Sequence, residues 1–431
     1  MRKKAAVGSG NQGTIEPHAL AIATQQLMLP LLVASDALRK GMFAFVQQMG
    51  MLALQELFAA EAAMIAGPKG KRLPARTHHH WGTAKTTLPF AGRHVAGDRP
   101  RVRRKGGGEV ELASVDELRR ADPLSERVAE QIVLGVSTRG YERSLQPLDE
   151  EIDTRGASKS AASRALIEST TTKLAAFVER RLDDVELVAM FIDGIEVAKH
   201  TVVIALGVTI DGTKVPLGLW CGSTENAVVA TALVQSLVER GLRVDDAILF
   251  VIDGGKGIRK ALRDVFGDRA IVQRCQVHKL RNVKDHLPES RRAYVARQMR
   301  DAYKSASAST AKRRLLQLAS WLESNGEDSA AASLREGLDE TLTVLRLNLP
   351  KTLCRTFSTT NAIENMNGTL RRISRNVKRW KGDSMIRRWF ALGIAEAQRG
   401  FRRVKGHHQI GALIDVMRSK TPTVTTEKRV A

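Results

Sequence analysis

Two aspartates stand where apolar runs meet a glycine: Asp193 in "VAMFIDGI" and Asp253 in "ILFVIDGG". Runs of this kind predict buried strands, each delivering a carboxylate at its end. The two are 60 residues apart, but on neighbouring strands both would open onto one edge of a sheet. Carboxylates held close repel unless a cation sits between them. Hard oxygen ligands suit Mg²⁺ or Mn²⁺. Two such ions activate a water or hydroxyl, stabilise the leaving oxygen and support in-line displacement at phosphorus. Each aspartate alone reads better as a turn residue before glycine; it is the combination that points to a site.

A third carboxylate is expected on a helix, and Glu364 in "FSTTNAIENMNGTLRRISRNVKRW" fits. On a helix from about Thr360 to Trp380, Ile363, Met366, Leu370, Ile373, Val377 and Trp380 form one apolar stripe. Glu364, Arg371, Arg375 and Lys378 lie opposite, the three cations within about 40° of the glutamate. That face would lead a phosphodiester backbone away from a metal site. Between Asn365 and Lys405 there are 12 basic residues against 2 acidic ones. Asn361-x-x-Glu364 also has capping-box spacing, so the glutamate could instead close the helix N-terminus. Cys275 and His278 form half a zinc site by spacing. With Cys221 and Cys354 isolated, the pair reads better as a neighbour of the acids, with a buried cysteine and core histidine as the alternative.

The elements that must position these residues run from about residue 188. "VAMFIDGIEV" is a strand, and "HTVVIALGVTI" and "KVPLGLWCG" are two more, joined by Asp211-Gly212, the dipeptide of a type I′ turn. A helix follows with Thr224 as N-cap and Gly241 at its stop, then strand "DAILFVID", helix "GKGIRKALRDVFG" and strand "AIVQRC". Hairpin strands pair antiparallel and strands joined through a helix pair parallel. A mixed five-stranded sheet results. Residues 281–354 read as a helical insertion. The core closes over 355–405 with the helix carrying Glu364 and another from about Ser384 to Val404, followed by a flexible tail, 406–431.

Upstream, residues 1–66 are expected to be helical, with "LMLPLLVASDALRKGMFAFVQQMGMLALQELF" as two amphipathic helices. Residues 67–113 are a basic linker and small β element. His78-His79-His80 reads as a solvated loop, and five basic residues between Arg99 and Lys105, Arg101, Arg103 and Arg104 among them, are placed to touch phosphate. Residues 114–185 have a helix, Gly135, a helix capped by Ser137, then Gly156 and a helix capped by Ser158 that carries Lys159, Ser160 and Arg164. This is the grammar of a helix-turn-helix DNA reader, and of an ordinary helical hairpin. The catalytic core would begin at 186 and its first part end at 280.

The 431-residue chain is 43 % apolar and carries a net charge of +22. It has the composition of a globular protein of several domains whose usual partner is nucleic acid. No run reaches the roughly 18 uninterrupted apolar residues of a membrane span. The "MRKKAAVGSG" start lacks the apolar stretch of a secretory signal. Three scattered cysteines are no disulfide framework and suit a reducing cytosol.

"FIDGIEV", "VIDGGKGI", "RCQVHKLRN" and "FSTTNAIENMN" resemble, in order and spacing, the signatures of Mutator-type bacterial insertion-sequence transposases, over about Ser114 to Val404. The resemblance implies a ribonuclease-H-like fold with a helical insertion between the second and third acids. It implies Asp193, Asp253 and Glu364 as metal ligands, and terminal-inverted-repeat binding by an N-terminal helix-turn-helix region. Gly368 stands where many relatives carry Arg. The expected protein is a cytoplasmic, nucleoid-associated DNA transposase that cleaves element ends and joins the 3′-hydroxyl to target DNA, as a homodimer or larger assembly. The alternatives are a ribonuclease-H-like nuclease or junction resolvase that only cuts, and a non-enzymatic DNA-binding regulator. A serine recombinase would require a nucleophilic serine constellation, and none is visible.

Overall fold

A computed structural model describes residues 17–71, 74–120, 124–145, 154–155, 157–222 and 227–420, with side chains from residue 41 onward except 43, 154 and 155. These residues fall into two compact units. One lies within Met1–Leu124 and Arg139–Ala162, the other within Ser125–Thr138 and Ser163–Ala431.

The first unit packs a long helix, α1 (Pro17–Ala66), on a small sheet of β1 (His78–Phe90), β2 (Arg93–Arg104), β3 (Glu109–Val110) and β4 (Thr154–Arg155). The segment read as two amphipathic helices is a single helix. Its Ala-, Leu- and Gln-rich composition favours helix throughout, and Phe58, Ala62 and Ala66 bury themselves under Leu88, Val95 and Val102. Within α1, Ala44–Ala66 is long and apolar enough to cross a membrane by length and composition. Glu61 interrupts it, accepting hydrogen bonds from the amides of Ala113 (2.6 Å) and Ser114 (3.0 Å), and so caps α2 (Ala113–Arg120). His78–His80 are the first residues of β1, paired with Arg104, Arg103 and Val102, and not a loop. The β1–β2 hairpin turns on Ala91 and Gly92, both at positive φ, as a type I′ turn requires.

Further along the chain, α3 (Leu124–Val133) ends near Gly135, whose φ is +100°. The helix expected from Ser137 does not form. Among the described residues before β4, the four-residue α4 (Tyr141–Ser144) is the helix that follows, with Gly140 as N-cap. Gly156 lies outside the described residues. Ser158 does cap α5 (Lys159–Glu179), its hydroxyl accepting from the Ala161 amide at 3.3 Å.

The second unit is built on β5 (Leu187–Val197), β6 (His200–Thr209), β7 (Lys214–Gly222), β8 (Ile248–Ile252) and β9 (Ala270–Arg274), in the order β7-β6-β5-β8-β9. β5 pairs antiparallel with β6 and parallel with β8, so the sheet is mixed as expected. The β6–β7 connection is not a two-residue turn. The Gly212 amide bonds to Thr209 O and the Thr209 amide to Thr213 O, with only Gly212 at positive φ. That is a three-residue loop with a glycine bulge. α6 (Ala227–Glu239) and α7 (Lys256–Phe266) cover one face through Leu233, Leu237, Ile258 and Leu262. Thr224, the expected cap of α6, lies outside the described residues.

After β9 the chain is helical: α8 (Gln276–Asp285), α9 (Glu289–Tyr303), α10 (Ala308–Ser324), α11 (Asp328–Arg335), α12 (Leu338–Thr341), α13 (Thr343–Arg346) and α14 (Lys351–Phe357). α8 to α12 share a core of their own around Val295, Met299, Leu315, Leu322 and Leu334. The other sheet face is covered by α15 (Asn361–Ser374), α16 (Asp383–Arg399) and α17 (Ile410–Lys420), through Ile363, Met366, Leu370, Phe390 and Leu413 against Phe191, Ile195 and Val251. Two helix ends differ from expectation. α15 stops at Ser374, whose hydroxyl turns back to Leu370 O at 2.8 Å, so Val377, Lys378 and Trp380 lie beyond the helix. α16 stops at Arg399 and does not reach Val404.

Candidate active site

Side chains alternate across a strand. On β5 this places Asp193 on the same face as Phe191 and Ile195, the face that packs against α15. Asp193 is not at the strand end. β5 continues through Val197, because its pairing with β6 is unbroken from Ala189 to Val197. The parallel pair Ile192↔Ile252 sets Asp253, the first residue after β8, alongside Asp193. Asp253 Oδ1 accepts the Gly255 amide at 2.9 Å, a tight Asx turn.

α15 carries the third acid to the same edge. Its apolar residues Ile363, Met366 and Leu370 bury against β5, which turns Asn367 inward and leaves Glu364 half-buried. Asn367 is fully buried and donates from Nδ2 to Asp193 Oδ2 at 2.7 Å. Thr360, also fully buried, donates from its hydroxyl to Glu364 Oε1 at 2.6 Å. The capping-box geometry is not formed. Asn361 is the first residue of α15 and Thr360 the cap, and the Thr360 amide goes to Cys275 Sγ at 3.4 Å.

Cys275 caps α8, its buried sulfur also accepting from the His278 amide at 3.5 Å and the Thr360 hydroxyl at 3.4 Å. His278 Nδ1 lies 3.3 Å from Thr360 Oγ1 and 3.8 Å from Glu364 Oε1. One potential ligand atom each from Cys275, His278 and Glu364 falls within 4.8 Å of the others. Burial pushes the Cys275 thiol up, but hydrogen bonds from His278 and Thr360 outweigh it and bring it down. His278 is held above its usual value, first by its contact with Cys275, against burial, then by Glu364 and Asp193. Burial, with Asp253 and Glu364 adding repulsion, pushes the Asp193 carboxyl up to about 6.

The donor set fits divalent cations. Asp253 and Glu364 are close enough to Asp193 to raise its carboxyl, and Asn367 Oδ1, whose amide nitrogen bonds Asp193, is buried without a hydrogen-bond partner. An orphaned buried oxygen of this kind calls for a ligand or water. Asn367 and Thr360 lie within a motif quoted above, but nothing in their spacing assigned them a role. Their function depends on which way α15 faces the sheet.

Of the basic residues, Arg371 is exposed on α15 two turns after Glu364, about 10 Å further along. Arg375 is the C-cap and Lys378 lies past the helix, so the row expected along one face stops at Arg375. Lys378 instead lines a cavity of about 430 Å³ with Arg379, Lys381, Arg388 and Trp389. In the first unit, Arg101 is engaged with Glu109 at 2.7 Å, Arg103 lies over the Trp81 ring at 4.9 Å, and Arg104 is exposed. Lys159 and Arg164 are exposed near the start of α5.

A mixed α/β sheet presenting clustered carboxylates between two helical layers defines the class of fold. The model of the family described as "Transposase, Mutator family" matches residues 23–403, and the chain belongs to that family. It is 30 % identical over 207 residues to the transposase for insertion sequence element ISRM3 of Rhizobium meliloti (strain 1021), which is 48 % of this chain and 50 % of that protein. It is 29 % identical over 332 residues to the transposase for ISRM5 of the same organism, 74 % and 79 % of the two chains. The transposase for IS256 in transposon Tn4001 of Staphylococcus aureus is 27 % identical over 260 residues, 58 % of this chain and 63 % of that one. The chain thus spans between half and four fifths of the length of these relatives.

Proposed function

We propose that the protein is a DNA transposase of the three-acid type that recognises the terminal inverted repeats of an insertion sequence, cleaves its ends and joins them to target DNA. The observation that carries this is the meeting of Asp193, Asp253 and Glu364 at one sheet edge, each oriented by a separate hydrogen bond. The sheet order β7-β6-β5-β8-β9 with a helical insertion before the third acid supports a ribonuclease-H-like catalytic fold.

Two divalent cations, Mg²⁺ or Mn²⁺, held by these acids would supply Lewis-acid stabilisation and a lowered water pKa. The chain's own residues prepare the site. Asn367 fixes the rotamer of Asp193, Thr360 that of Glu364, and Cys275 holds Thr360 and His278 in place. Arg371 takes a phosphate along the strand leaving the acids. In the first reaction water attacks phosphorus at the element end and the 3′ oxygen leaves as a hydroxyl. In the second, that 3′-hydroxyl attacks a target phosphodiester, so one P–O bond forms as another breaks and no protein–DNA bond arises.

Recognition of the ends belongs to residues upstream of about 185, with Lys159, Arg164 and the Arg101–Arg104 strand contacting DNA. Joining two ends calls for at least two protomers, and the work is done on DNA in the cytoplasm, at the nucleoid. The decisive test is a cleavage and strand-transfer assay on labelled element-end DNA with Mg²⁺. Cleavage without joining points to the nuclease alternative. Full function in Asp193→Asn, Asp253→Asn and Glu364→Gln points to the regulator.

A further inference from the structure

Arg274 is the last residue of β9 and its side chain is 7 % exposed. Its guanidinium lies against two backbone segments far apart in the chain. On one side is Gly254, next to Asp253. Gly254 has φ +114°, and a Cβ there would collide with Arg274 Nε. On the other side is Gly337, φ +60°, where a Cβ would sit 2.7 Å from Arg274 Nη1. Nη1 also donates to Glu336 O at 3.1 Å, and Nη2 pairs with Glu336 Oε2 at 3.2 Å. Both glycines hold conformations an L side chain rarely adopts, and both clear space for the same cation. Nε is buried without a hydrogen-bond partner.

The Glu336–Gly337 turn ends α11 in the helical insertion. It is pinned a second time by Lys279, fully buried, whose ammonium donates to Ser333 O (2.5 Å) and Glu336 O (2.6 Å). Arg259 of α7, the helix after the Asp253 loop, pairs with Glu340 at 2.9 Å. The insertion therefore meets the segment that follows Asp253 at two points, through Arg274 at Gly254 and through Arg259.

We propose that Arg274 is a positioning residue for Asp253: wedged between Gly254 and Gly337, it makes the orientation of the Asp253 loop depend on where the insertion's Glu336–Gly337 turn sits. Lysine could keep the charge but not the planar fork that spans both turns. The proposal rests on the metal-site reading of Asp253, yet its geometry can be examined separately.

The experiment uses the full-length protein and two readouts: hydrogen exchange of the peptide covering 250–258, and Mn²⁺ binding by calorimetry without DNA. Arg274→Lys should speed exchange at 250–258 and weaken Mn²⁺ binding by about tenfold, the usual cost of losing an outer partner of a metal ligand. Exchange in 187–197, the strand of Asp193, should stay as in the parent. Glu336→Gln keeps the carbonyl contact and should show the same pattern more weakly. It also decides the question if Arg274→Lys does not fold. Unchanged exchange at 250–258 in both variants overturns the proposal, as does loosening confined to insertion peptides. If the parent protein binds no Mn²⁺ that Asp193→Asn removes, the metal-site reading fails, while the exchange data still judge the role of Arg274.

Discussion

At the scale of single residues, the acids are separable from their supports. Asp193→Asn and Asp253→Asn should each abolish cleavage while leaving affinity for end DNA within a few-fold in a gel-shift titration. Retained cleavage in either would remove the carboxylate pair from the chemistry. Glu364→Gln should lose cleavage and joining with little change in melting temperature, since Thr360 can still bond the amide oxygen but a neutral amide is a poor Mg²⁺ ligand. Cys275 predicts the opposite phenotype. Its sulfur serves the Thr360 amide and hydroxyl and the His278 amide, and Thr360 is fully buried. Cys275→Ala should therefore cost about 1–3 kcal/mol in urea unfolding, the penalty of stranding buried donors, and Cys275→Ser should recover part of it.

At the scale of elements, α15 is shorter than its sequence pattern implies. Its apolar stripe through Ile373 is buried as expected, but the helix ends before Lys378. Arg371, and Arg375 at the C-cap with helical dihedrals, keep the register with Glu364. Arg371→Ala should flatten the salt dependence of DNA binding by about one unit of slope, without changing Mn²⁺ affinity. An equal effect on Mn²⁺ binding would mean that Arg371 shapes the site and does not track DNA. Gly368 lies mid-helix, and an added Cβ there meets nothing within 4 Å. Gly368→Ala should accordingly raise stability by about 0.5–1 kcal/mol, read as a higher urea midpoint at constant slope.

At the scale of the whole molecule, a fragment beginning at residue 67 would lose three of the eight buried residues of the first unit's core, Phe58, Ala62 and Ala66 of α1. End recognition is therefore best examined in the intact chain. Arg104→Ala, Lys159→Ala and Arg164→Ala should each reduce the salt slope of end-DNA binding by about one if each neutralises a phosphate. Arg101→Ala should do less, since Glu109 already holds that guanidinium. Unaltered slopes in all four would move DNA recognition to another surface.

Local pattern determined much of this protein by itself. Apolar runs reaching Asp-Gly, the hairpin after Asp193 and the strand–helix–strand alternation specified five strands in a mixed sheet, whereas the order β7-β6-β5-β8-β9 and the parallel register that sets Asp253 beside Asp193 came from the packed structure. The strands and their mixed pairing follow from side-chain period and connection chirality, which are written locally. What the sequence left open were features fixed by partners far along the chain. α1 continues through Pro30 as one helix, and the helix expected at Ser137 is absent, since local signals are weak priors on where a helix starts and stops. The inward turn of Asn367, the Thr360–Cys275 contact across 85 residues and the wedge of Arg274 between Gly254 and Gly337 exist only once α15 and the insertion are packed. A buried polar group takes whichever partner the packing brings within reach, and no spacing along the chain encodes that choice.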